Sequence, residues 1–249
     1  MRDLSGRRAL FVGGSSGMGL ASARRFQGLG AEVILAGRSI KRLEAARRAL
    51  DESAATAVLA FDMADAGQVE QALTRMPAGG IDHLVITAAN VTHGPFVEKP
   101  IADMRAMFDS KFWGAYGLAR AALPYLREGG AIIFFSGVLS RRPGVNCAAL
   151  GAACAAVEAL ARGLALELGP RLRVNCIAPG MIRTELHDRL APDRREAMFL
   201  NTGNSLPVGR VGRPEEVAEA VLLAATNSYM TGHVLDIDGG HMVRQYATR

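Results

Sequence analysis

The residues with the most chemical content lie near the amino end. There Val12-Gly13-Gly14-Ser15-Ser16-Gly17-Met18-Gly19 separates a short apolar run from an apolar-periodic stretch that begins Leu20-Ala21-Ser22. Glycines at 13, 17 and 19 let the chain turn sharply and bring main-chain N–H groups up to a pyrophosphate with no Cβ in the way. Ser15 and Ser16 add hydroxyl donors, and Met18 lies in the same turn. Glycine triplets alone mark many turns and caps; one placed between a strand and a helix points to a dinucleotide phosphate. At the end of the second apolar run, Leu35-Ala36-Gly37-Arg38-Ser39, the position where an acid would hold a ribose 2′-hydroxyl is Gly37. With no carboxylate there, Arg38 is free to pair with a 2′-phosphate, which favours NADP(H) and leaves NAD(H) possible. The alternative for Arg38 is an exposed residue capping the next helix.

Other reactive side chains are sparse. His93 and His187 fall in loops that would border a substrate pocket, where surface histidines are also common. Cys154 sits in the stretch AALGAACAAVEAL, either as a reactive thiol or as a small packing residue. The five histidines show no H-x-x-x-H spacing, and the cysteines at 147, 154 and 176 form no C-x-x-C pair. Neither a metal site nor a disulfide framework is expected.

Seven runs rich in Val, Ile and Leu, at 9–12, 32–36, 57–61, 83–86, 131–135, 173–177 and 234–237, have the strand character that would position these residues. Most are apolar at consecutive positions, as in strands buried on both faces. Helix-length stretches lie between them at 17–29, 40–51, 64–76, 101–127, 148–168 and 214–225. This alternation predicts an α/β fold, a Rossmann-like doubly wound sheet of seven mainly parallel strands flanked by helices. A single domain over 1–249 is expected, with an irregular substrate-loop region at 183–211.

The 49% hydrophobic and 21% charged composition supports one sizeable core. The formal charge of +5 is scattered as arginine pairs with no basic block, which argues against nucleic-acid binding. No uninterrupted apolar leader opens the chain, and no later stretch approaches the roughly 18 apolar residues of a membrane span. The expectation is a soluble, cytoplasmic protein with no membrane partner.

These features together resemble the classical short-chain dehydrogenase/reductase family, from about residue 5 to residue 242. The glycine turn has that family's GxxxGxG spacing. Asp62-Met63 is similar to its adenine-contacting pair, and Ala88 and Ala89 fall in its NNAG segment. RVNCIAPGMIRT at 173–184 is similar to its sixth strand and Pro-Gly turn, which implies cofactor contacts from Pro179, Gly180, Ile182 and Thr184. The last helix and strand lie within 214–240. The resemblance implies an oxidoreductase that binds a nicotinamide cofactor, acts on a small hydroxyl, carbonyl or activated alkene compound, and forms a homo-oligomer, usually a tetramer.

The family's catalytic Ser, Tyr, Lys and Asn fall, by ungapped alignment, on Gly137, Leu150, Cys154 and Lys111. All four differ. Lys111 is therefore the candidate catalytic residue, as proton donor, ribose holder or binder of an acidic substrate; otherwise it points along its helix to solvent. The other functional reading is a catalytically silent dinucleotide-binding protein, a sensor or a structural component.

Overall fold

The computed structural model describes residues 3–50, 56–76 and 78–243. The strands are β1 (Arg8–Val12), β2 (Glu32–Gly37), β3 (Thr56–Ala60), β4 (Ile81–Ile86), β5 (Leu126–Phe135), β6 (Arg173–Pro179) and β7 (Val234–Ile237). They pair in the order β3-β2-β1-β4-β5-β6-β7, and every pairing is parallel. The consecutive apolar runs follow from burial on both faces. Leu10 and Val12 of β1 enter one core layer, whereas Ala9 and Phe11 enter the other.

The helices are α1 (Gly17–Gln27), α2 (Ile40–Arg48), α3 (Ala66–Leu73), α4 (Ile101–Phe108), α5 (Gly114–Ala122), α6 (Ala148–Leu168), α7 (Pro192–Asn204) and α8 (Pro214–Thr226). Phe26 of α1, Leu43 of α2 and Val217 and Val221 of α8 pack on one face of the sheet. Leu73 of α3, Leu118 of α5 and Val157 of α6 pack on the other. The doubly wound arrangement is thus observed.

Three expectations need correction. The stretch 101–127 is not one helix: α4 passes into a π-helical turn at Asp109–Trp113, α5 follows, and β5 already begins at Leu126. No Gly or Pro announces the wide turn. It carries Lys111 inward, and Gly114 then packs so tightly on Met63 that a Cβ would lie 2.9 Å from Met63 Cγ. Within 183–211 the chain forms the 13-residue α7. Pro192 and Asp193 open it, but only Phe199 and Gly203 are buried along it, so it carries almost no apolar periodicity. Finally, among the described residues α6 is long and apolar enough to cross a membrane, contrary to the expectation that no stretch is. Its alanines and leucines raise its hydropathy, while Ala153, Cys154, Val157, Glu158 and Ala161 turn inward in the fold.

Candidate cofactor and active site

Parallel strands bring their carboxyl ends to one edge of the sheet, and the strand order reverses between β1 and β4, where a crevice opens. The glycine turn lies there. Gly13 and Gly17 have φ of +92° and +52°. A Cβ on Gly13 would lie 2.7 Å from the Ala88 nitrogen and collide with Thr87 Oγ1. One on Gly19 would lie 2.7 Å from Thr87 Oγ1 and collide with the Gly13 carbonyl. Thr87 and Ala88 are in turn fixed by N–H donations of 2.9 and 3.0 Å to the Val12 carbonyl, which brings Ala88 and Ala89 beside the turn. Ser16, the N-cap of α1, makes no side-chain capping bond, and α1 has no acid in its first turn. A close-approach cradle beneath an uncapped helix amino end fits a dinucleotide pyrophosphate. Ser15 is part of that turn, whereas Met18 packs partly into the core and its carbonyl accepts from Ser22 Oγ.

At the end of β2, Arg38 is exposed and has no ion-pair partner among the described residues. The cap of α2 is Ser39, whose hydroxyl accepts the Arg42 N–H at 3.3 Å. The Arg42 guanidinium donates to Ser16 Oγ at 3.0 Å, so a second cation ties the start of α2 to the glycine turn. Arg42 was absent from the expected set, although its spacing of four from Arg38 at a helix start was a usable signal. Asp62 Oδ1 accepts the Ala64 N–H at 3.0 Å, and the Met63 side chain is buried, which leaves its main chain for a ligand.

Lys111 is 6% exposed, which closes the solvent alternative. Its Nζ donates to the Phe135 and Ser136 carbonyls, both at 3.3 Å, and the Cys154 thiol lies close enough to feel the ammonium charge. Gly137 adjoins the same place, since a Cβ there would lie 3.5 Å from Cys154 Sγ and 3.8 Å from the Pro179 carbonyl. Three of the four positions marked by the resemblance thus converge. Behind them the buried Glu158 carboxylate accepts from Ser136 Oγ at 2.8 Å and Ser140 Oγ at 2.6 Å, and lies 3.5 Å from Arg141, which pairs in turn with Asp236. Lys111 and Glu158 therefore meet opposite ends of Ser136. Glu158 was not anticipated; a lone acid on the inner face of an Ala-rich helix was the available sign. Burial raises the pKa of Cys154 despite the nearby Lys111 charge, and pushes Cys176 up to about 12, so both remain thiols at neutral pH.

On the far side of the crevice, Gly180 packs on Asp238 with 2.8 Å left for a Cβ, and buried Ile182 bridges to Gly212. Thr184 faces Gly17: its Cγ2 would stand 3.3 Å from a Cβ there. Thr184 also lines a pocket of about 270 Å³ with Arg183, Arg195 and Phe199. The Arg183 guanidinium lies 4.3 Å over the Phe199 ring, on which His187 stacks at 5.2 Å. Burial and the nearby Arg189 lower the His187 pKa, which favours its neutral form. His93 is exposed in the loop after β4. Among the described residues no cluster of three or more His, Cys, Asp or Glu is able to hold a metal ion.

Residues 12–242 match the family model described as enoyl-(acyl carrier protein) reductase. The chain is 30% identical to the short-chain dehydrogenase/reductase ucsE of Acremonium, over 96% of this chain and 97% of that protein. It is 33% identical to the cyclic-di-GMP-binding biofilm dispersal mediator protein of Escherichia coli K12, over 96% and 98%. A crystal structure of a small-chain dehydrogenase in complex with NADPH superimposes with a TM-score of 0.82 at 34% identity, covering 95% of this chain and 98% of that one. The chain belongs to the short-chain dehydrogenase/reductase family of oxidoreductases.

Proposed function

We propose that the chain is an NADP(H)-dependent oxidoreductase with a non-standard active site, acting on a small hydroxyl, carbonyl or activated alkene compound. The observation that carries this is the glycine cradle, closed to any Cβ at Gly13 and Gly19 and flanked by Arg38 and Arg42. Gly13, Ser15, Ser16, Gly17, Met18 and Gly19 would hold the pyrophosphate; Arg38, Ser39 and Arg42 the 2′-phosphate; and Asp62 and Met63 the adenine. Ala88, Ala89, Pro179, Gly180, Ile182 and Thr184 would border the nicotinamide half. The superimposable NADPH-bound dehydrogenase supports the same cofactor here. When bound, such a cofactor supplies or accepts a hydride.

Lys111 is the candidate proton donor. Of the three groups around its ammonium, the Cys154 thiol is the weakest acceptor, and a substrate oxygen would displace it most readily. Gly137, Leu150 and Cys154 offer no substitute for a Ser, Tyr and Lys set. The second reading, a silent binding protein, is favoured by those same residues and by a relative named for binding. NADPH oxidation over ketones, aldehydes, quinones and enones, with Lys111→Met beside the intact protein, separates the two. Turnover that falls roughly 10²-fold or more in the variant supports the enzyme with Lys111 as donor. Undiminished turnover removes Lys111 as donor, and tight cofactor binding with no turnover supports the silent protein. The three free cysteines fit a reducing, cytoplasmic compartment, and a homotetramer fits the exposed aromatic residues on α5 and the preceding turn.

A further inference from the structure

We propose that Glu158 is a positioning residue for Lys111, its buried carboxylate supplying, across Ser136, the negative charge that keeps the ammonium protonated and in place. Its consequence for turnover rests on the reading of Lys111 as proton donor given above. Both residues are shut off from water, at 3% and 6% exposure, and a buried charge persists only where something offsets it. Lys111 has no ion-pair partner among the described residues; its Nζ meets two neutral carbonyls, those of Phe135 and Ser136. Glu158 stands on the other side of Ser136, whose hydroxyl donates to Oε1 at 2.8 Å. Ser140 Oγ donates to the same oxygen at 2.6 Å. Two hydroxyls on one carboxylate oxygen tie α6 to the end of β5, so the Ser136 carbonyl that receives Lys111 is held with them.

The surrounding charges leave Glu158 to Lys111. Arg141 lies 3.5 Å from the Glu158 carboxylate, but its side chain is 36% exposed and both terminal nitrogens donate to Asp236 of β7. Arg141 and Asp236 therefore largely offset each other. Cys154 of α6 and Cys176 of β6 each feel the charges of both Lys111 and Glu158, which sets those two charges around the same pair of sulfurs. Burial keeps both sulfurs as thiols, so neither offsets the ammonium. The charged residues of the π turn and of the helices on either side of it, Asp103, Arg105, Asp109 and Arg120, are exposed. Glu158 is thus the buried anion that remains to match the buried cation.

The chain has three lysines, at 41, 99 and 111, so the protonation of Lys111 is readable by itself. Nuclear magnetic resonance of protein labelled with carbon-13 at the lysine Cε, titrated with base in the absence of cofactor, tests the proposal; the signal missing from Lys111→Met identifies the residue. Glu158→Gln should lose the Lys111 proton about one to two pH units lower than the intact protein, because a neighbouring anion has become a neutral amide. Glu158→Asp, which keeps the charge, should titrate within about half a unit of the intact protein. Arg141→Gln, a change at a partly exposed side chain, removes a cation beside Glu158 and should move the signal about half a unit to higher pH. Lys41 and Lys99 should titrate unchanged throughout. The alkaline fall in NADPH-dependent turnover should move in parallel with the signal, with KM for the substrate changing less than about twofold. An unmoved Lys111 signal in Glu158→Gln, or in Arg141→Gln should the first variant fail to fold, overturns the proposal and leaves the donor reading standing. A shift of the signal that turnover does not follow upholds the role of Glu158 and overturns Lys111 as donor.

Discussion

Gly13 shows how much of the site a single residue type decides. Its positive φ and the Ala88 nitrogen 2.7 Å from any Cβ leave no room for alanine. Gly13→Ala should lose about 2–5 kcal/mol through backbone strain and overpacking. Thermal denaturation should show the melting temperature falling by about 5–15 °C. Arg42 is the complementary case, an exposed side chain whose value lies in its contact with Ser16. Arg42→Ala should leave the melting temperature nearly unchanged and weaken NADPH binding by about 1–2 kcal/mol, with a smaller loss for NADH, in parallel titrations. The glycines were legible in the sequence because only glycine satisfies the backbone geometry there. Arg42 and Glu158 were legible only as positions, by the spacing of four from Arg38 and as a lone acid on the inner face of an Ala-rich helix. A side chain's partners across the fold, Ser16 for one and Ser136 for the other, leave no mark in local sequence. Lys111 lay between these cases. Its slot was legible by alignment, but its burial depends on a wide helical turn that no local residue type announces.

At the scale of elements, the strands were the most legible because burial on both faces writes continuous apolar runs. Strand β4 is buried at all six positions, and His83 in it packs edge-on to Phe26 at 5.8 Å with its Nδ1 lacking a hydrogen-bond partner among the described residues. Burial lowers the His83 pKa from 6.5 to about 4. Because the folded value lies below the unfolded one, the neutral ring's contribution is full above 6.5 and is lost as pH falls from there towards about 4. His83→Phe should therefore flatten the fall in stability across that window, as chemical denaturation at stepped pH would show. An equal slope in both proteins would remove His83 as its cause. Helix α7 was the element least legible, since a surface helix with little apolar periodicity looks like a loop until its proline start is weighed. The split at α4 and α5 was hidden for a different reason: the chain stays helical through the π turn, and only the winding changes.

Across the whole molecule, the two core layers and the reversal of strand order between β1 and β4 place the glycine turn, the Lys111 cluster and the Thr184 pocket along one edge. The opposite consequence of such packing appears on the outside. Trp113 is 57% exposed and Tyr116 39%, with their rings 6.0 Å apart, and Leu166 on α6 is also exposed. A homo-oligomer that covers these residues should appear in light scattering at micromolar concentration as a multiple of 26.4 kDa, with a clean monomer refuting it. In the proposed function NADP(H) binding depends on the cradle and its cations, and a fluorescence titration of NADPH and NADH into the intact protein and Arg38→Ala measures that dependence most directly. NADPH should bind the intact protein more tightly, with the advantage reduced by about 1.5–3 kcal/mol in the variant. Equal affinities in the intact protein, an unchanged preference in the variant, or no binding of either dinucleotide would contradict it.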